Sequence, residues 1–330
     1  MNDNQFINLS QESLYKLPSY LYYMNNLVKL NISYNNLDSL NYLPDSLEIL
    51  LCSTNHLKSI DSIKTLRNLH HLDCSNNYIS SLDCLPNNLT YLNCSLNKIK
   101  NLDKLPDIEI LICNYNNIED FKYLPNSVIN LSCTFNALNY IDSLPDTIQT
   151  INVSNNQIKK IKSIPKDCKY LDCRNNKLIS IDFSNNENLQ FLDCSGNFIK
   201  LLDYTPNYLK TLICCSNNIS ELNHLNNNLN ELNISWRNDL YHLYNIPDNL
   251  EILIAHGNIH LPSTKILFWK GIKLLRQCYF KYKYGKKLEK IFLNFVIKRK
   301  NDLHLELIYH PDNNFYKNLW SEESRKYLQN

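Results

Sequence analysis

The sequence predicts an α/β-type solenoid: a horseshoe of short parallel β-strands with an extended or turn-built convex side and a C-terminal α-helical cap. Three observations predict it. The pattern L-x-x-L-x-C-x-x-N-x-I, as in Leu89–Ile99, recurs about twelve times. Its second Leu falls at Leu30, Leu50, Leu72, Leu92, Leu111, Leu131, Ile151, Leu171, Leu192, Leu212, Leu232 and Leu253, spaced by 19 to 22 residues and mostly by 20. After Pro262 the apolar period switches to 3.6, with Phe268, Ile272, Leu275, Tyr279 and Tyr282 on one helical face.

Within each unit the alternation L-x-C points the apolar side chains inward and the residue between them outward, so each unit supplies one short strand. A single unit cannot bury its own apolar face, whereas stacked units share one core. Five residues after the second Leu stands an Asn: Asn35, Asn55, Asn77, Asn97, Asn116, Asn136, Asn156, Asn176, Asn197, Asn217 and Asn258. There the chain leaves the strand, and an amide side chain can satisfy the unpaired backbone groups of the turn. In the eleventh unit Arg237 takes the expected place and Asn238 follows it, which predicts a one-residue bulge beside Trp236.

This pattern resembles the leucine-rich-repeat family, L-x-x-L-x-L-x-x-N/C-x-L, over about three quarters of the chain. Leu43-Pro44, Leu85-Pro86, Leu105-Pro106, Leu124-Pro125, Leu144-Pro145, Ile164-Pro165 and Ile246-Pro247 open many units. They are similar to the short Leu-Pro repeats of bacterial effector proteins. The resemblance implies a convex side without full helices, since 20 residues leave no room for one. Some such effectors carry a separate catalytic domain, and no segment here is long enough for one.

Eight of the 12 cysteines share one repeat position: Cys52, Cys74, Cys94, Cys113, Cys133, Cys173, Cys194 and Cys214. Ile32, Val153, Ile234 and Ala255 fill it in other units, so the position reads as packing. A 20-residue spacing is not a zinc pattern, and rows of buried thiols fit a reducing, cytoplasmic setting. Cys84, Cys168, Cys215 and Cys278 show no partner spacing. The N-x-S matches at Asn31, Asn93, Asn152 and Asn233 follow from the repeat itself.

The divisions read as an N-terminal cap or degenerate repeat over 1–20, the solenoid over 21–261 and a basic helical region over 262–330. The last carries 15 Lys/Arg and 6 Asp/Glu, a net +9, which leaves −7 on the first 261 residues. No uncharged apolar run is long enough to span a bilayer, and the N-terminus lacks a signal-peptide pattern. His310-Pro311-Asp312 resembles the J-domain tripeptide but has too little chain around it.

Catalytic motifs and cofactor sites are not found, so the expectation is a monomeric, non-enzymatic scaffold with a protein partner. Its binding face is expected on the concave side. The candidate residues are Tyr91, Tyr170 and Phe191 before the second Leu, with Tyr34, Tyr115, Phe135, Arg174 and Trp236 at the strand ends. The alternative is nucleic-acid or anionic-membrane binding through residues 262–330.

Overall fold

The structure, a computed structural model, describes residues 5–255 except 203, 223, 241–245 and 248, together with 258 and the backbone of 269–270. It is a stack of about twelve coils, each contributing one strand to a single sheet of 14 strands. The strands run from β1 (Phe6–Asn8), β2 (Lys29–Asn31), β3 (Ile49–Leu51) and β4 (His71–Asp73) to β5 (Tyr91–Asn93), β6 (Ile110–Ile112) and β7 (Asn130–Ser132). Two short strands, β8 (Tyr140–Ile141) and β10 (Lys160–Ile161), pair with each other outside this sheet. The main sheet continues through β9 (Thr150–Asn152), β11 (Tyr170–Asp172), β12 (Phe191–Asp193), β13 (Thr211–Ile213), β14 (Glu231–Asn233) and β15 (Ile252–Ile254).

The strands share one logic. From β2 to β15 in the main sheet, the middle residue is the repeat Leu or Ile, buried, while the two flanking residues face outward and stay partly exposed in most coils. The register follows the repeat, with Leu50 opposite Leu72, Leu72 opposite Leu92 and Leu92 opposite Leu111. The first Leu of each unit, the strand Leu, the Cys position and the apolar residue after the Asn form four inward rows of one continuous core. Cys168, which looked off-pattern in the sequence, occupies the first-Leu position of its coil and is fully buried.

Pro44, Pro86, Pro125 and Pro165 each open a tight turn, their carbonyls accepting from the N–H three residues on, at Leu47, Leu89, Val128 and Cys168. Pro fits because its own missing N–H is not needed there. The convex side otherwise carries two 3-10 turns, Ser19–Tyr23 and Asp61–Ile63. Among the described residues it has no α-helix, so the α/β expectation narrows to a β-solenoid.

The sheet begins inside the segment expected as a cap or degenerate repeat: β1 pairs parallel with β2, and Ile7 lies opposite Leu30. At the other end, Trp269–Lys270 form β16, antiparallel to β15. The 3.6-residue period placed these two residues in a helix. The unpaired edge of β15 explains the difference, since a strand satisfies its N–H and C=O groups and a helix cannot. The remainder of the expected helical cap, Cys278 and His310-Pro311-Asp312 lie outside the described residues. No described helix is long and apolar enough to cross a membrane.

Candidate functional site

The outward residues of the sheet form one continuous surface, the side expected to be concave, and the Asn rows fix where it ends. Asn77 donates through Nδ2 to the carbonyls of Cys74, Ser75 and, one coil back, Cys52, each at 3.1 Å. Its Oδ1 accepts from Leu57 N–H at 3.0 Å. Asn97 repeats this set, and every ladder Asn from Asn35 to Asn258 bonds the preceding coil. Asn238 takes the same place despite its displacement, bonding Cys214 and, four residues back, Ile234. The extra residue is absorbed by positive φ at both Trp236 and Arg237, 58° and 52°.

The residue before each ladder Asn from Asn35 to Asn217 adopts a left-handed conformation, at Tyr34, Thr54, Asn76, Leu96, Tyr115, Phe135, Asn155, Asn175, Gly196 and Ser216. This turn row escaped the sequence reading. Its signal was Asn76, Asn155, Asn175 and Gly196, the residue types that accept positive φ most cheaply. The third strand residue has a second hidden role. The carboxylate or amide of Asn31, Asp73, Asn93, Asn152, Asp172, Asp193 and Asn233 accepts the N–H two residues on and caps the strand end.

The candidate residues fall into two rows. Tyr91, Tyr170 and Phe191 are first strand residues on the outward surface of the sheet, each partly exposed. Tyr91 stacks on His71, centroids 4.0 Å apart, and Tyr170 stacks on Phe191 at 4.3 Å. Tyr34, Tyr115, Phe135 and Trp236 lie on the turn row at the edge, where Tyr115 stacks on Phe135 at 4.3 Å. His71 was not among the candidates; its in-register place opposite Tyr91 pairs them.

Arg174 stands beside the Tyr170–Phe191 pair. Its guanidinium meets Asp172 at 3.4 Å and Asp193 at 3.6 Å, two buried carboxylates in register on neighbouring strands. Burial raises Asp172 above the ordinary carboxylate value even though Arg174 and its N–H oppose this. Burial likewise raises Tyr91 and Tyr170, each helped by a nearby Asp, and lowers His71.

The eight ladder cysteines are buried free thiols. Burial pushes Cys52, Cys74, Cys94, Cys113, Cys173, Cys194 and Cys214 well above the usual thiol value, and Cys168 up to about 12. Such thiols are packing groups rather than nucleophiles. Among the described residues, no group of three or more His, Cys, Asp or Glu is placed to hold a metal ion.

The profile of Leucine Rich repeats (2 copies) matches residues 45–87. No curated protein sequence matches the chain. Among solved structures, the leucine-rich effector protein YopM from Yersinia pestis is 30% identical, with 74% of this chain and 68% of that chain covered and a TM-score of 0.65. YopM from Yersinia enterocolitica WA-314 is 28% identical over 75% and 62%, TM-score 0.55. The functional domain of InlJ from Listeria monocytogenes, which includes a cysteine ladder, is 24% identical over 77% and 63%, TM-score 0.63. The chain thus spans less than two thirds of the InlJ and Yersinia enterocolitica structures. With the repeat, the coil geometry and the Yersinia pestis likeness in agreement, the chain belongs to the leucine-rich-repeat family.

Proposed function

We propose that the chain is a non-catalytic scaffold that receives a protein partner on its concave face. The observation that carries this is the pair of aromatic stacks on that face, His71–Tyr91 and Tyr170–Phe191. Rigid, partly exposed rings lose little side-chain freedom on binding and are the residue types that anchor interfaces. A related sign lies at the edge. Tyr34, Tyr115 and Phe135 hold a left-handed backbone that costs a bulky residue on the order of 1–2 kcal/mol, where Asn or Gly serves other coils.

The partner row is Tyr91, Tyr170, Phe191 and Arg174, flanked by Tyr34, Tyr115, Phe135 and Trp236. Free thiols lined up on neighbouring coils fit a reducing compartment, and we place the protein in the cytoplasm on that ground. The net +9 of residues 262–330 favours a second reading, an anionic nucleic-acid or membrane surface. The test is affinity capture with full-length protein and a Tyr91→Ala/Tyr170→Ala/Phe191→Ala variant. The concave reading expects co-purifying proteins to fall at least tenfold with an unchanged circular-dichroism spectrum; undiminished capture overturns it.

A further inference from the structure

We infer that the part of the concave face between β3 and β6 docks a polypeptide segment whose apolar anchors flank Lys or Arg. This rests on the scaffold reading and names the chemistry of its partner. The outward residues of the end strands are aliphatic: Ile49 and Leu51 on β3, Ile110 and Ile112 on β6, all partly exposed. The His71–Tyr91 stack lies between them. Neighbouring strands are about 4.8 Å apart, so the two aliphatic pairs stand roughly 14 Å apart along the solenoid. An extended chain covers that span in about four residues, at about 3.3 Å each.

Charge selects what lies between the anchors. Across these four coils the outward positions comprise the residue before each strand, the first and third strand residues, the residue after the Cys and the turn residue. Their only charged side chains are Glu48, Asp73 and Glu109, with no Lys or Arg. The equivalent positions around β11 to β13 include Lys169, Arg174 and Lys210 beside Asp172 and Asp193, which Arg174 pairs. A cationic segment is therefore attracted to the first surface, and an acidic one is repelled from it. The acidic balance of the first 261 residues, −7, adds to the same field.

The test pans a phage-displayed random dodecapeptide library on the full chain. Enriched peptides are then measured by fluorescence anisotropy against wild type and a Glu48→Gln/Asp73→Asn/Glu109→Gln variant, in which the new amide on β4 keeps an acceptor for Ser75 N–H. The inference expects Lys or Arg between apolar anchors about four residues apart, binding at least tenfold weaker to the variant and weakening with salt. Acidic or neutral consensus peptides, equal binding to both proteins, or no enrichment overturns it. Should partner capture nevertheless respond to the alanines at Tyr91, Tyr170 and Phe191, the scaffold reading stands and only the partner chemistry fails.

Discussion

Asn97 ties its coil to the one before it through a single amide. Its amide donates to the carbonyls of Cys74, Cys94 and Ser95, which Asn77, Asn116 and the Asn76 N–H also reach, and accepts from the buried Ile79 N–H. Asn97→Ala leaves the Ile79 N–H without that partner and removes one of the donors to each carbonyl, and is expected to cost about 1–3 kcal/mol in urea unfolding. Asn97→Asp is expected to cost at least as much, because a carboxylate would face carbonyl oxygens instead of donating to them. Asp172 makes the opposite case. Burial raises its pKa in the folded state, so its protonated form favours folding; stability is fullest below the ordinary carboxylate pKa and falls as pH rises through the raised value. Asp172→Asn keeps the acceptor for Arg174 N–H, as Asn93 and Asn152 do for their coils. Its melting temperature is expected to exceed wild type at pH 7 and to lose the difference near pH 3.5.

At the scale of the coil, the inward rows were legible because the repeat writes them out. Leu50, Leu72, Leu92 and Cys52, Cys74, Cys94 recur every 20 to 22 residues, each Cys two after its Leu, and their burial follows from strand alternation. The left-handed turn row was not legible, because Tyr115, Phe135 and Leu96 hide a backbone requirement that only Asn76, Asn155, Asn175 and Gly196 advertise. The capping role of Asp73, Asp172 and Asp193 was hidden too, since a folded-back carboxylate and an exposed one look alike in sequence. Trp269–Lys270 failed for a different reason: a helical period is local, whereas the open edge of β15 is tertiary. Cys94 tests the packing account of the ladder. Its position takes Ile32, Val153 and Ile234 in other coils. Cys94→Val is expected to stay within about 1.5 kcal/mol of wild type, while Cys94→Ser, burying a hydroxyl, is expected to lose about 1–3 kcal/mol.

Over the whole molecule, the fold supplies a rigid frame and the outward residues supply its character. One sheet presents an aliphatic, cation-free stretch over β3 to β6 and an aromatic stretch with basic side chains over β11 to β13. Which rows face outward was readable from the repeat. Which outward residues meet was not, because His71–Tyr91 and Tyr170–Phe191 are neighbours only through strand register. The same molecule offers its own controls, since Tyr20, Tyr22 and Tyr23 are exposed in a 3-10 turn outside the sheet. Hydroxyl-radical footprinting of the full chain, alone and with a captured partner, compares the two sets directly. The scaffold account predicts that Tyr91, Tyr170 and Phe191 become protected while Tyr20, Tyr22 and Tyr23 react as before; protection confined to the turn tyrosines, with the concave rings unchanged, would contradict it.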